Sequence, residues 1–244
     1  MRRAYGPHRD QYGELALPDA GAGPFPVAVL VHGGGWAAGY DWTLMAALAR
    51  DLAARGWAAW NLEFRRVGPT SGGGWPQTGA DVLAGIDALA GLDAPLDLDR
   101  VVLIGHSSGG QLALWAGAQR GGAGAPVPVR AVAAQAPVSD LEAHRSPVVA
   151  AFLGGSPDGV PGAYAAASPM RLLPLGLPQL LVHAEDDPVV PVSMSRRYTQ
   201  RARAAGDRVT LVLRSADGHN AHLDPRSVAW AAVVQWLAPW GPAT

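Results

Sequence analysis

The chain has 244 residues, 49% of them hydrophobic and 16% charged, with a formal net charge of −1 and no cysteine. That composition supplies a sizeable core and excludes a disordered chain, disulfides, thiolate metal sites and a cysteine nucleophile. With the charge balanced and the arginines dispersed, no basic stripe is offered to nucleic acid or to an anionic membrane. No linker divides the sequence, so one domain over residues 1–244 is expected. The opening stretch MRRAYGPHRDQYGELALP places polar residues behind Arg2 and Arg3, where a secretion signal needs an apolar run. No apolar run approaches the ~20 residues of a membrane span, and a cytoplasmic location is the expectation.

In chain order, Val27 to Val31 forms a continuous apolar run flanked by proline and glycine, the mark of a strand buried on both faces. Leu44, Leu48 and Leu52 follow at helical spacing, with Asp41 as N-cap and Gly56 beyond the end. WAAWNLEF reads as a strand, TGADVLAGIDALAGL as a helix with Thr78 near its cap, and Val101 to Ile104 as the next buried strand. SGGQLALWAGAQR resumes helical spacing, AVAAQAP is a strand, and residues 140–170 form a long irregular insertion, expected to be a lid or a pocket wall. QLLVH is a strand, VSMSRRYTQRARAAG a helix, VTLVLR a strand and SVAWAAVVQWLA a closing helix. This alternation predicts an α/β fold: a mostly parallel central sheet with helices on both faces and its chemistry at the carboxyl ends of the strands.

One of those strand ends runs VVLIGHSSGG. A bare Gly-x-Ser-x-Gly is a weak signal in a chain with 31 glycines, but here it stands between a buried strand and a helix, the setting of a nucleophile elbow. Gly105 and Gly109 let strand and helix approach while Ser107 takes a strained backbone. Ser108 does not fit the pattern as nucleophile, because position 106 is His; its backbone N–H would face a developing oxyanion from the helix N-terminus. Further donors are expected from Gly34 and Gly35 in HGGGW (residues 32–36), after an earlier strand. His32 reads as a support for that loop, and Trp36 as a pocket wall or packing residue.

Together, HGGGW and GHSSGG followed by a late acid and histidine resemble the α/β-hydrolase superfamily over nearly the whole chain. Within it the sequence is similar to small single-domain carboxylesterases and arylformamidase-like hydrolases, whose HGGxW loop is matched by His32, Gly33, Gly34 and Trp36. The resemblance implies an acid in an Asp-x-x-Val-Pro loop, met by Asp187, Val190 and Pro191; Asp186 is adjacent and Glu185 is a third choice. It also implies a histidine six residues before a proline, met by His219 and Pro225. His222 competes as base and is otherwise read as solvent-facing or supporting, while His8, His144 and His183 read as surface or structural. Asn220 and Ala221 depart from the residues common after this histidine.

The expected activity is hydrolysis of a small carboxylic ester through an acyl-enzyme on Ser107, with His219 as base and Asp187 as its partner. Hydrolysis of an N-formyl aromatic amide by the same groups is the alternative, and a binding protein that keeps the fold without turnover is a third. The expected partner is a small ester or amide. No cofactor is expected and no metal, since no two histidines share a helix at i, i+4.

Overall fold

The computed structural model describes residues 1–121 and 124–242. Its centre is an eight-stranded sheet: β1 (Arg2–Ala4), β2 (Tyr12–Ala16), β3 (Phe25–Val31), β4 (Ala58–Leu62), β5 (Leu96–His106), β6 (Val129–Gln135), β7 (Gln179–Ala184) and β8 (Val209–Arg214), in the spatial order β1-β2-β4-β3-β5-β6-β7-β8. β1, β2 and β4 pair antiparallel, and every pairing from β4 to β8 is parallel. The first two strands, at one edge of the sheet, have no counterpart among the elements expected from the sequence. β1 is wholly exposed and β2 is only half-buried, so neither carries the continuous apolar run of an inner strand.

β3 shows how the sheet sorts its helices. Val27, Val29 and Val31 point into one core, and Ala28 and Leu30 point into the other. The second core is closed by α1 (Ala46–Ala54) and α7 (Val228–Leu237), through Leu48, Leu52, Trp230 and Val233. The first is closed by α2 (Gln77–Asp87), α3 (Ser108–Arg120) and α6 (Ser193–Ala204), through Ile86, Leu112, Met194 and Tyr198 among others. Helices thus cover both faces. Asp41 caps the 3₁₀ turn that leads into α1, its carboxylate accepting from the Thr43 N–H at 2.9 Å. Thr78 lies near the start of α2 as expected, two residues after the N-cap Pro76, and its hydroxyl donates to the Arg65 carbonyl.

The insertion at 140–170 is more regular than expected, for it holds α4 (Pro147–Leu153) and α5 (Pro161–Ala167). Each has proline in its first turn, and Ser146 caps α4 by accepting from the Val149 N–H. Seven residues make fewer than two full turns, too few for a helical period to stand out. Among the described residues no helix is long and apolar enough to cross a membrane.

Candidate active site

Three non-glycine residues among those described have φ in the left-handed region, Trp36 (57°), Ser107 (56°) and Ala136 (44°). All three follow the carboxyl ends of neighbouring strands β3, β5 and β6, so the strained backbone gathers at one end of the sheet. Ser107 stands between the last residue of β5 and the first of α3, held by its N–H to the Gln135 carbonyl (2.8 Å) and by its carbonyl to the Gln111 and Val138 N–H groups. The turn needs glycine on both sides. A Cβ at Gly105 would strike the Gly109 carbonyl, and one at Gly109 would strike the carbonyl oxygens of Val31 and His32. The elbow is therefore packed against β3 with no room for a methyl group.

Ser108 opens α3, so its N–H has no carbonyl one turn back to bond. Its hydroxyl has a role that the sequence did not reveal: Ser108 Oγ accepts from the N–H of Gly35 at 3.0 Å and lies 3.4 Å from that of Trp36. This corrects the expectation for Gly35, whose N–H is directed at a side chain. The Gly34 N–H has no partner among the described residues. His32 is buried between the Glu63 carboxylate (3.1 Å) and the Gly33 carbonyl (2.8 Å) and stacks on Phe64, which pins the start of the loop. Trp36 is buried, donates from Nε1 to Gln111 Oε1 (2.9 Å) and stacks on Phe152, while also facing the cavity.

The acid and base loops follow β7 and β8. Asp187 Oδ2 accepts from His219 Nδ1 at 2.7 Å, and Asp187 Oδ1 accepts from the N–H groups of Val189 (2.8 Å) and Val190 (2.9 Å). Burial alone would raise the Asp187 carboxyl, but donation from His183, His219 and the two N–H groups outweighs it and holds the acid well below the usual range. Asp186 faces elsewhere, accepting from the Gly218 N–H, and Glu185 pairs with Arg196 at the surface. The bond to Nδ1 leaves Nε2 of His219 free to meet a proton donor in the cavity that His219 shares with Ser107.

Four other histidines lie at or near the site, three of which depart from or sharpen their first reading. His222 is fully buried and not solvent-facing, with neither ring nitrogen bonded, and burial, helped by His183 and His219 nearby, lowers its pKa to about 4. His106 is buried too; its Nε2 meets the His219 carbonyl at 2.9 Å, and burial, then His219, lowers its pKa to about 3. His183 is fully buried beside Asp187, and His144 lines the cavity. A lone histidine has no spacing partner, so neither its burial nor its contacts carry a signal in the sequence.

The cavity measures about 890 Å³ and is walled by the glycine loop, the elbow, the His219 loop and Val148 and Val149 of α4. No Asp, Glu, Lys or Arg lines it. No cluster able to hold a metal ion occurs among the described residues.

The BD-FAE family model matches residues 14–201. No curated protein sequence matches significantly. Among solved structures the chain is similar to a truncated form of carbohydrate esterase from gut microbiota, 20% identical over 98% of this chain and 94% of that one, with a TM-score of 0.85. It is also similar to esterase B from Lactobacillus rhamnosis (20% identity, 98% and 84% covered, TM-score 0.83) and to the thermophilic esterase Est2 of Thermogutta terrifontis (20%, 98% and 90%, TM-score 0.78). At that identity the likeness concerns the fold, which is the α/β-hydrolase fold. With the family model matching well over half of its length, the chain belongs to the BD-FAE family.

Proposed function

We propose that this chain is a serine hydrolase that cleaves small carboxylic esters by a Ser107–His219–Asp187 triad. His219 Nε2 accepts the Ser107 proton as Oγ attacks the ester carbonyl, Asp187 fixes the imidazole and stabilises its charged form, and the N–H groups of Gly34 and Ser108 meet the oxyanion. The alcohol leaves with the proton from His219, and water repeats the attack on the acyl-enzyme to release the acid and regenerate Ser107. Gly35 contributes through its bond to Ser108 Oγ, which holds the loop in place. The observation that carries this reading is the Asp187–His219 contact of 2.7 Å, at the edge of the same uncharged cavity that Ser107 lines.

A cavity without formal charge favours neutral esters over anionic ones. Est2, which shares the fold, has been solved with butyrate or propionate bound, so short acyl esters are the first substrates to try. Hydrolysis of N-formyl aromatic amides needs the same groups and is the second reading, favoured by the apolar walls. The test is a panel of short and long acyl aryl esters, N-formyl aromatic amines and amino-acid anilides, run beside Ser107→Ala. Short esters should turn over fastest, with activity lost in the variant. Faster turnover of formyl amides, or a variant keeping more than about a tenth of the rate, would overturn the proposal.

A further inference from the structure

The Asp187 carboxylate lies between two histidines, and the triad uses one of them. His183, at the end of β7, is completely buried; its Nε2 is 2.9 Å from the Val190 carbonyl and 3.3 Å from Asp187 Oδ2, and its Nδ1 is 2.7 Å from Ser195 Oγ on α6. Both neighbours of Nε2 are acceptors, so the neutral ring carries its proton there. The lone pair on Nδ1 then takes the Ser195 hydroxyl as donor. A line of donation thus runs from Ser195 through His183 to the carboxylate and to the Val190 carbonyl that closes the same turn.

Resting on the triad reading, we propose that His183 is a positioning residue for the reaction, sharing its Nε2 proton between Asp187 and the Asp187–Val190 turn so that Oδ2 stays aimed at His219. With Oδ1 taken by two backbone N–H groups, His183 is the one side chain besides His219 found on this carboxylate among the described residues. It also competes with His219 for Oδ2, which moderates how tightly the carboxylate holds the imidazolium. Its removal should therefore do two things: let the carboxylate swing, which slows chemistry, and bind the imidazolium more tightly, which keeps the base protonated to higher pH. The other titratable groups facing this cluster are His222, close to His183 and His219, and His106 on β5. Glu185 and Asp186 are engaged away from it, with Arg196 and the Gly218 N–H.

The test compares His183→Leu, His183→Gln and Ser195→Ala with wild type, by kcat, KM and the pH dependence of kcat/KM on one aryl ester. His183→Leu should lower kcat about tenfold, the worth of a hydrogen bond to a charged group, with KM nearly unchanged. The rising acid limb of kcat/KM should move to higher pH. His183→Gln, which restores an N–H donor, should recover part of both effects. Ser195→Ala, a small change that leaves the ring in place, should show the same displacement more weakly. Wild-type kcat and acid limb in folded His183→Leu would overturn the proposal; should that variant not fold, an unchanged limb in Ser195→Ala would do so. Asp187→Asn, run alongside, separates the two levels: full activity there sinks the triad and this inference with it, whereas an inactive Asp187→Asn beside an unaffected His183→Leu removes His183 alone.

Discussion

The two walls that meet at Ser107 are built on different principles. On the β3 and β5 side the geometry is set largely by backbone: Gly105 and Gly109 bring strand and helix together, and the Ser108 hydroxyl fastens the glycine loop to the elbow through that loop's N–H groups. On the β7 and β8 side it is set by titratable side chains, with Asp187, His183 and His219 in contact and His106 and His222 packed around them. The first wall should respond above all to added bulk; the second should respond to isosteric loss of charge and to acid.

The largest expected effect lies on the second wall. Asp187→Asn or His219→Ala should lower kcat about 10⁴-fold with the fold intact, while Asp186→Asn should stay within a few-fold, since Asp186 bonds only to a loop N–H. Steady-state kinetics beside circular dichroism decide this. A more damaged Asp186→Asn would dissolve the contrast between neighbouring carboxylates.

On the first wall, Gly109→Ala should destabilise the protein by roughly 3 kcal/mol, because its Cβ meets two carbonyl oxygens of β3 and its following loop and no flexible side chain can yield. Denaturant unfolding measures it, and a loss below about 1 kcal/mol would mean that the elbow has slack. Ser108→Ala should be milder in stability and lower kcat about tenfold, since the Gly35 and Trp36 N–H groups lose their acceptor and the loop loses its fastening. An unaltered kcat would return Ser108 to a purely backbone role.

The pH contrast belongs to the buried histidines, each of which contributes less than the glycine contact. Burial lowers the pKa of His106 to about 3 and that of His222 to about 4, from the ordinary 6.5, so below pH 6.5 the unfolded chain takes up protons that the folded chain refuses. Stability should be independent of these groups above about pH 7 and fall between pH 6.5 and 4, by about 2 kcal/mol per histidine at pH 5. Asp187 adds nothing in this window: its lowered carboxyl supports the fold above the ordinary 3.8, and that support is lost only in stronger acid. Urea midpoints at pH 7 and pH 5 test this, and His222→Leu should flatten the difference.

The same contrast explains what could be read in the sequence. The backbone-built wall writes itself in glycines and apolar runs: Val27 to Val31, Val101 to Ile104 and Gly-x-Ser-x-Gly all carry local rules. So does the order of helices that yields a sheet covered on both faces. Asp187 and His219 could be named only through spacings shared with a family, Asp-x-x-Val-Pro and His to Pro225. The burial of His222 and the partners of His183 were not legible, because those partners come from other elements and a single histidine on a strand or loop has no period. Ser108 was legible as a helix N-terminus but not as an acceptor, since its bond to Gly35 spans 73 residues. β1 and β2 escaped because one is exposed and the other too short and half-buried to carry an apolar run, and α4 and α5 because they are too short to show a helical period.

The central claim is that Ser107 becomes covalently acylated. Incubating the protein with an aryl alkylphosphonate, which forms a stable adduct on an activated serine, and mapping the adduct by peptide mass spectrometry tests it most directly. The account expects one adduct per chain, on Ser107, with parallel loss of esterase activity and no labelling of Ser107→Ala. An adduct on Ser108 or elsewhere, or ester hydrolysis that persists with Ser107 fully modified, would contradict it.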